Sequence, residues 1–332
     1  MTKLLVGINW IFLFSFTHFP VKKVFLSGSA QGTTYHITYY ASDSFVTKSQ
    51  VDSILNKIDS SLSLYKPYSL INQFNNSADG IVVDEHFEKV VSKAIDTYNQ
   101  TNGLFDITIF PITDAWGFGP VKNTSIPDTT AIRGLLSCVG SKLLYWQGKK
   151  LVKKKTCVKL DANGIAQGYS VDVIAAFLEQ HNIHNYMAEL GGELRVKGRK
   201  IPGNERMSIG IEAPGDDLAA PVMEKIIWLD EGALTTSGNY RRYYESNGRR
   251  ISHLLDPHTG YPIQNELISV TVFAKDAITA DAYDNALMGM GLQQAMKFVE
   301  GRPDLAAYFI YRNVNGAVAD TMSSRFHSLE KH

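Results

Sequence analysis

Two cysteines in 332 residues, Cys138 and Cys157, are too few for a disulfide framework, and they lack the partners for a zinc site. In an exported protein the two could pair. Charge of one sign is also missing. Thirty-three basic residues balance thirty-three acidic ones, which removes any electrostatic reason to expect a nucleic acid. No linker rich in proline and serine, no low-complexity tract and no repeat divides the chain. The N-terminal apolar run behind Lys3, LLVGINWIFLFSF, is about thirteen residues long, the length of a signal peptide and too short to span a bilayer. What is present is ordinary globular material, 44% apolar and 20% charged, enough for one large domain or two smaller ones.

The apolar run ends near Thr17-His18-Phe19-Pro20, and Lys22-Lys23 follow; no A-x-A cleavage site is evident, and no cysteine stands there to take a lipid. Residues 1–20 are therefore expected to be a leader and the protein to be exported. A buried core segment is the bland alternative, disfavoured by its position at the extreme N-terminus behind a lysine. Beyond it, Val24–Ala41 predicts a strand pair, and Ser49–Ser63 a helix with Val51, Ile54, Leu55, Ile58 and Leu62 on one face. A helix over Glu85–Thr101 stops at Asn102-Gly103. FDITIFPITDAW (105–116) reads as β-like and then irregular. A helix near Asp128–Cys138 leads to a hairpin over Leu143–Leu160, where the lysines of KKLVKKK are expected to be solvated. Helices are further predicted over 169–181, 280–289 and 292–300, with strands in YMAELGGELRVKGR and around 207–213, 225–230, 268–274 and 305–311. Helices and strands alternate irregularly, so the fold class is α+β, with mixed or antiparallel sheets and flanking helices, rather than a doubly wound sheet.

Several segments are dense in small and polar residues. In LDANGIAQGYSVD (160–172), Asp161 follows an apolar strand end and faces the start of a helix; Gly164 and Gly168 permit close backbone approach. The helix N-terminus suits a phosphate, while the bland reading makes Asp161 a cap. In TADAYDNA (279–286), Asp281, Asp284 and Asn285 are three and four apart and share a helical face, so oxygen ligands could converge on one hard cation. The alternative has Thr279 as N-cap and Asp281 answering the helix dipole. TTSG (235–238) suggests a small-residue anion pocket, and DPHTG (256–260) a turn. His253 is either a packed histidine or a general base.

In order, the blocks GSAQGTTY, DSSLSLYKPYSLINQFN, GLFDITIFPITDAWGFGP, LDANGIAQGYSVD, ELGGELRVKG, TTSGNYRRYY, SHLLDPHTGYPI and TADAYDNALMGMG resemble the ApbE family of FAD:protein FMN transferases over roughly residues 24–322. The resemblance implies one ApbE-like domain over 24–322, with FAD in a cleft between two lobes. It implies an exported, periplasmic or membrane-associated enzyme acting on the outer face of the cytoplasmic membrane. With Mg²⁺, the FMN half of FAD would pass to a threonine hydroxyl of an acceptor protein, typically a subunit of a membrane redox pump, and AMP would leave. By the same resemblance the metal falls to the Gly164 carbonyl, Asp281 and Asn285, with Asp284 a further carboxylate or a solvent-facing one. Flavin and adenine contacts fall to Gln31, Tyr65 as a stacking ring, Leu104, Phe105, Asp106, Asp161 and Gln167, and His253 stands beside the reacting phosphate. For Tyr65 the bland alternative is a half-buried core ring.

Against the family pattern, Gln167 replaces a common lysine, Asn285 a threonine, Asp284 a small residue and His258 a common arginine; Arg241 and Arg242 are candidate compensating cations. Two competing readings are hydrolysis of FAD to FMN and AMP, and a non-catalytic exported FAD-binding protein.

Overall fold

The computed structural model describes residues 20–43, 45–121, 125–213, 223–240, 242–246 and 248–330. The expected leader over 1–20 thus lies outside the described residues except at Pro20, and so does Arg241.

The chain opens with strands β1 (Lys22–Ala30) and β2 (Thr33–Ala41), joined by Gln31-Gly32. Both turn residues have positive φ, 52° and 77°, the combination that a tight two-residue hairpin needs. Helix α1 (Lys48–Leu62) starts at a capping box in which Thr47 and Gln50 satisfy each other's backbone N–H groups. Then come α2 (Leu70–Asn76), β3 (Gly80–Val82), α3 (Glu85–Gln100), α4 (Phe110–Ala115), α5 (Thr129–Leu136), β4 (Leu144–Gln147) and β5 (Lys150–Lys153). Helix α6 (Ala166–Gln180) leads to the hairpin β6 (Tyr186–Leu190) and β7 (Glu193–Lys197). Strands β8 (Met207–Glu212), β9 (Met223–Leu229) and β10 (Glu231–Gly238) follow, then the hairpin β11 (Tyr243–Ser246) and β12 (Arg249–Ser252). The chain continues with β13 (Leu267–Ala274), α7 (Ala277–Met290), α8 (Leu292–Glu300), β14 (Ala306–Arg312), β15 (Val318–Met322) and the short α9 (Ser324–His327).

One eight-stranded sheet, in the order β1-β2-β6-β7-β10-β13-β14-β15, organises these elements. Every ladder between named strands is antiparallel, and the only parallel pairing among the described residues is the isolated bridge Ile109–Lys159. The fold class is α+β, as expected. β13 is buried along its whole length because both faces of the sheet are covered there. On one face Val270 and Val272 pack on Tyr283 and Leu287 of α7. On the other, Ile268 and Phe273 join a cluster that includes Ile209 and Ile227 of the β8–β9 hairpin. Helices α1 and α6 close the sheet over β2 and β6, where Val51, Leu55, Ile174 and Leu178 meet Tyr35, Ile37 and Ala188. Each fully buried valine, leucine or isoleucine among them contributes about 1.5–3 kcal/mol.

Four expectations need correction. FDITIFPITDAW contains a helix, α4, rather than a strand: Pro111 falls at its first turn, where a missing N–H costs nothing. TTSG is no separate anion pocket but the end of strand β10: Thr235 is wholly buried, while Thr236, Ser237 and Gly238 line one side of a larger cavity. KKLVKKK is not uniformly solvated. Lys153 is buried, and its ammonium donates to the carbonyls of Phe74, Asn75 and Val158 at 3.0, 3.4 and 3.0 Å; burial pushes its pKa down to about 8. Three carbonyls accept its protons, which replaces the water it has lost. Finally, α7 is capped by Asp276, which accepts from Thr279 N, so Thr279 is not the cap.

Cys138 and Cys157 form a disulfide, with Cα atoms 5.5 Å apart and 19 residues between them in sequence. It ties the C-terminal end of α5 to the turn that precedes Val158–Asp161. Closing a loop of this length restricts the unfolded chain by about 3 kcal/mol. The double substitution Cys138→Ser/Cys157→Ser is therefore expected to lower unfolding stability by about 2–4 kcal/mol in urea titration. An unchanged midpoint would show that the cross-link contributes nothing.

Candidate active site

A cavity of about 1350 Å³ opens where the β1–β2 turn, α1, the 104–118 segment, the start of α6, β10, the β12–β13 connection and α7 meet. It exceeds the roughly 300–1,000 Å³ of an ordinary small-ligand pocket, which leaves room for a dinucleotide. Gln31, Tyr65, Leu104, Phe105, Asp106, Asp161, Gly164, Gln167, His253, Asp281, Asp284 and Asn285 all line it. Residues far apart in sequence are thus gathered around one space.

One wall is built where α6 crosses α7. A Cβ on Gly168 would lie 2.4 Å from the Ala277 carbonyl and 2.7 Å from Asp281 Cβ, so only glycine allows this approach. The crossing lets Gly168 N–H donate to Asp281 Oδ2 at 2.9 Å. That N–H at the start of α6, expected to serve a phosphate, is spent on orienting a carboxylate. Asp172, on the same helix, accepts from Ala277 N and Ile278 N and pairs with Arg195 at 2.8 Å. It therefore holds the α7 N-terminus, and Asp281 is left to face the cavity wall.

Beside Asp281, the Asn285 amide nitrogen lies 3.4 Å from the Gly164 carbonyl, 3.1 Å from the Asp281 carbonyl and 2.9 Å from Asp284 Oδ1. Three oxygens, one from the turn before α6 and two from α7, thus converge on one point. Asp281 and Asp284 are almost completely buried. Burial pushes the Asp281 pKa up to about 7, despite the bond from Gly168 and with Asp172 adding to the rise. Asp284 is held well above the usual carboxylate range by burial and by Asp281. Among the described residues no three His, Cys, Asp or Glu side chains cluster as a ready-made cage. The donor set is two carboxylates, backbone carbonyls and an amide. That set suits a magnesium ion, which takes one or two carboxylates and fills its other positions with water and phosphate oxygens.

Asp161 is positioned from both sides. The Asn75 side chain clamps the preceding residue, accepting from Leu160 N at 2.7 Å and donating to Leu160 O at 3.0 Å. Asp161 itself accepts from Asn163 N at 2.9 Å and from the Thr113 hydroxyl at 3.1 Å, and burial raises its pKa. It caps the turn before α6 and not the helix, whose N-cap position is Ile165. Asp106 Oδ1 accepts from Thr108 N, the Thr108 hydroxyl and the Ser141 hydroxyl, so its carboxylate secures the cavity wall first of all. Tyr65 is 54% exposed at the cavity rim, which excludes a core ring and leaves its face open to a flat ligand. Gln31 Nε2 donates to Ser170 on α6 at 2.8 Å, fixing the β1–β2 turn over the cavity.

On the opposite side, His253 Nδ1 lies 2.8 Å from the Arg242 carbonyl. A carbonyl can only accept, so the proton sits on Nδ1 and Nε2 keeps its lone pair. Burial pushes the His253 pKa down to about 4, and the imidazole is neutral at ordinary pH. His258, in the turn after it, bonds through Nε2 to the Asn102 carbonyl at 2.9 Å and so joins this loop to the wall containing Leu104–Asp106.

The sequence pattern did not single out Asp59, Thr113 or Glu193, all of which line the cavity. Asp59 shares a helical run with Ile58 and Leu62, and a carboxylate between core positions is the one signal that could have marked it. Gln167 lies beside Gly191, whose Cβ would meet its amide nitrogen at 3.0 Å. Of the two candidate compensating cations, Arg242 lines the same cavity.

The family model described as the ApbE family matches residues 31–309. A protein of Haemophilus influenzae named FAD:protein FMN transferase is 36% identical over 316 residues, covering 91% of this chain and 90% of its own. One of the same name from Escherichia coli K12 is 32% identical, over 86% and 83%. Among solved structures, the flavin transferase ApbE of Vibrio cholerae superposes with a TM-score of 0.84 at 33% identity, over 93% of this chain and all of the other. The apo flavinyl transferase ApbE of Pseudomonas stutzeri gives 0.84 at 33%, over 93% and 97%.

Proposed function

The chain belongs to the ApbE family, and we propose that its cavity catalyses Mg²⁺-assisted transfer of FMN from FAD to a threonine hydroxyl of an acceptor protein. The enzyme is a transferase that moves FMN from FAD to a target protein. In the finer reading, the acceptor oxygen bonds to the FMN phosphorus, the phosphoanhydride bond breaks and AMP leaves with the freed oxygen. The acceptor's proton goes to His253 Nε2. The observation that carries this is the fixed tautomer of His253, a neutral imidazole with a free Nε2 in the cavity that also holds the oxygen cluster.

The ion would be held by the Gly164 carbonyl, Asp281 and Asn285, with Asp284 adding a second carboxylate. Bound there, it would offset negative charge on the pyrophosphate. The Asn285 amide nitrogen now bridges the oxygens; turning the amide over presents Oδ1 to the same point. Tyr65 would stack on a flat ring of FAD, with Gln31, Leu104–Asp106, Asp161 and Gln167 along the rest of the ligand. The Cys138–Cys157 bridge supports an exported, oxidising location, as does the signal-length apolar run. No helix among the described residues is long and apolar enough to cross a membrane. A subunit of a membrane redox pump is the acceptor in this reading.

Purified protein given FAD, Mg²⁺ and a candidate acceptor domain is expected to add the mass of FMN to one acceptor threonine, with AMP released in equal amount. FMN and AMP appearing without acceptor labelling would mean hydrolysis, and bound but unchanged FAD would mean storage.

A further inference from the structure

Phe118 lines the cavity on the side of His253, and two nitrogen-bearing side chains pack against its ring. The His253 ring meets it edge-on at 6.3 Å between centroids, and the Arg242 guanidinium carbon lies 5.9 Å from its centre. Arg242 Nη2 donates to the Phe118 carbonyl at 2.8 Å. That bond fixes the end of a long side chain, and a guanidinium has further N–H groups in the same plane to offer a ligand. Burial raises the Asp161 pKa and lowers the His253 pKa, and the positive charge of Arg242 pulls both down, so the guanidinium is within electrostatic reach of each. The main chain of the same residue holds the base. The Arg242 carbonyl accepts from His253 N at 3.2 Å and from His253 Nδ1 at 2.8 Å.

Cations are scarce on the cavity walls. Lys48 pairs with Asp52 at 2.6 Å, and the charge of Lys66 offsets part of the burial of Asp59, both on the α1 side. Among the described residues, the remaining basic side chain on the walls is Arg242, beside the histidine that presents Nε2. We propose that the Arg242 guanidinium binds the phosphate that carries the flavin, the one attacked in the transfer, while its backbone carbonyl sets the tautomer of the base. The choice of that phosphate rests on the transfer reading above: an oxygen that yields its proton to His253 Nε2 attacks a phosphorus beside it. A pyrophosphate entering walls that carry Asp161, Asp281 and Asp284 meets groups of its own sign, and a planar guanidinium offsets this with paired hydrogen bonds. During transfer, negative charge spreads over the phosphoryl oxygens and the departing oxygen, where a fixed cation counts for more than it would in water.

The test reads binding first, in the ion-free full chain, by quenching of flavin fluorescence. Arg242→Gln keeps an N–H for the Phe118 carbonyl and leaves the main chain untouched. It is expected to raise the Kd of FAD and of FMN by about tenfold or more, and that of riboflavin, which has no phosphate, by less than about twofold. Arg242→Lys, a charge without the paired geometry, should lie between. With Mg²⁺ and a recombinant acceptor domain, Arg242→Gln should also lower kcat at saturating FAD by about tenfold or more. The acid limb of kcat/KM should move up from near pH 4, because a positive charge beside His253 is gone. Unchanged thermal unfolding of both variants shows an intact fold. A Kd for FAD that stays within about twofold overturns the proposal. So does an equal rise for riboflavin, which would make Arg242 a packing residue of the wall. Loss of FAD affinity with FMN unaffected would move the guanidinium to the leaving phosphate and overturn the assignment. Absence of acceptor labelling by the unaltered protein would defeat the transfer reading instead, and the FAD and riboflavin affinities still decide whether Arg242 binds phosphate.

Discussion

Asp281→Ala is expected to lower FMN transfer on the order of 10³-fold, the scale of losing one principal stabiliser of developing charge. The carboxylate is oriented by Gly168 N–H and is nearly inaccessible to water. A second measurement needs no turnover. Burial raises the Asp281 pKa from 3.8 in the unfolded chain to about 7 in the ion-free fold. The folded state therefore keeps a proton that the unfolded state releases. The associated stability is fully present below about pH 4 and is lost as pH rises through 7, on the order of 4 kcal/mol in all. Thermal unfolding of the ion-free protein should accordingly fall from pH 4 to pH 7 and then level off. Saturating Mg²⁺ should reduce that fall, because a cation favours the ionised carboxylate. Asp281→Asn should make the fall shallower and lose the Mg²⁺ effect. Full stabilisation by Mg²⁺ in this variant would remove Asp281 from the ion site.

His253→Ala is expected to cost about 10²–10⁴-fold in kcat, the usual contribution of a positioned base. FAD affinity should change only a few fold, because FAD contacts are assigned mainly to the opposite walls. The pH profile supplies the sharper test. An ordinary histidine would lose activity on the acid side near pH 6.5. Desolvation holds His253 near 4, so Nε2 stays unprotonated throughout the range from pH 5 to 8. The acid limb of kcat/KM attributable to it should lie close to pH 4. A limb between 6 and 7 that disappears in His253→Ala would refute the desolvated base.

Local pattern accounted for much of the scaffold. The predicted helix at 292–300 matches α8 residue for residue, and α1 differs from expectation by one residue at each end. Both have strong apolar periodicity. Helices α6 and α7 were expected to begin three residues later than they do, since their first turns are held by each other: Asp172 of α6 satisfies Ala277 N and Ile278 N of α7. No pattern within either segment reveals that exchange. The β11–β12 hairpin was missed because its strands are only four residues long and mostly polar, and its support is Phe118, more than a hundred residues away.

The sequence by itself determined which residues share a face, that Asp281, Asp284 and Asn285 project together from one helix, and which family the ordered blocks resemble. Those properties follow from helical geometry and residue order alone. The tertiary structure was needed to show that Asn285 on α7 reaches the Gly164 carbonyl, that burial makes ionising Asp281 costly and that Lys153 is buried. It also decided which nitrogen of His253 is free. Each of these depends on how closely distant elements approach and how much water they exclude, and at Gly168 that approach is close because there is no side chain in the way.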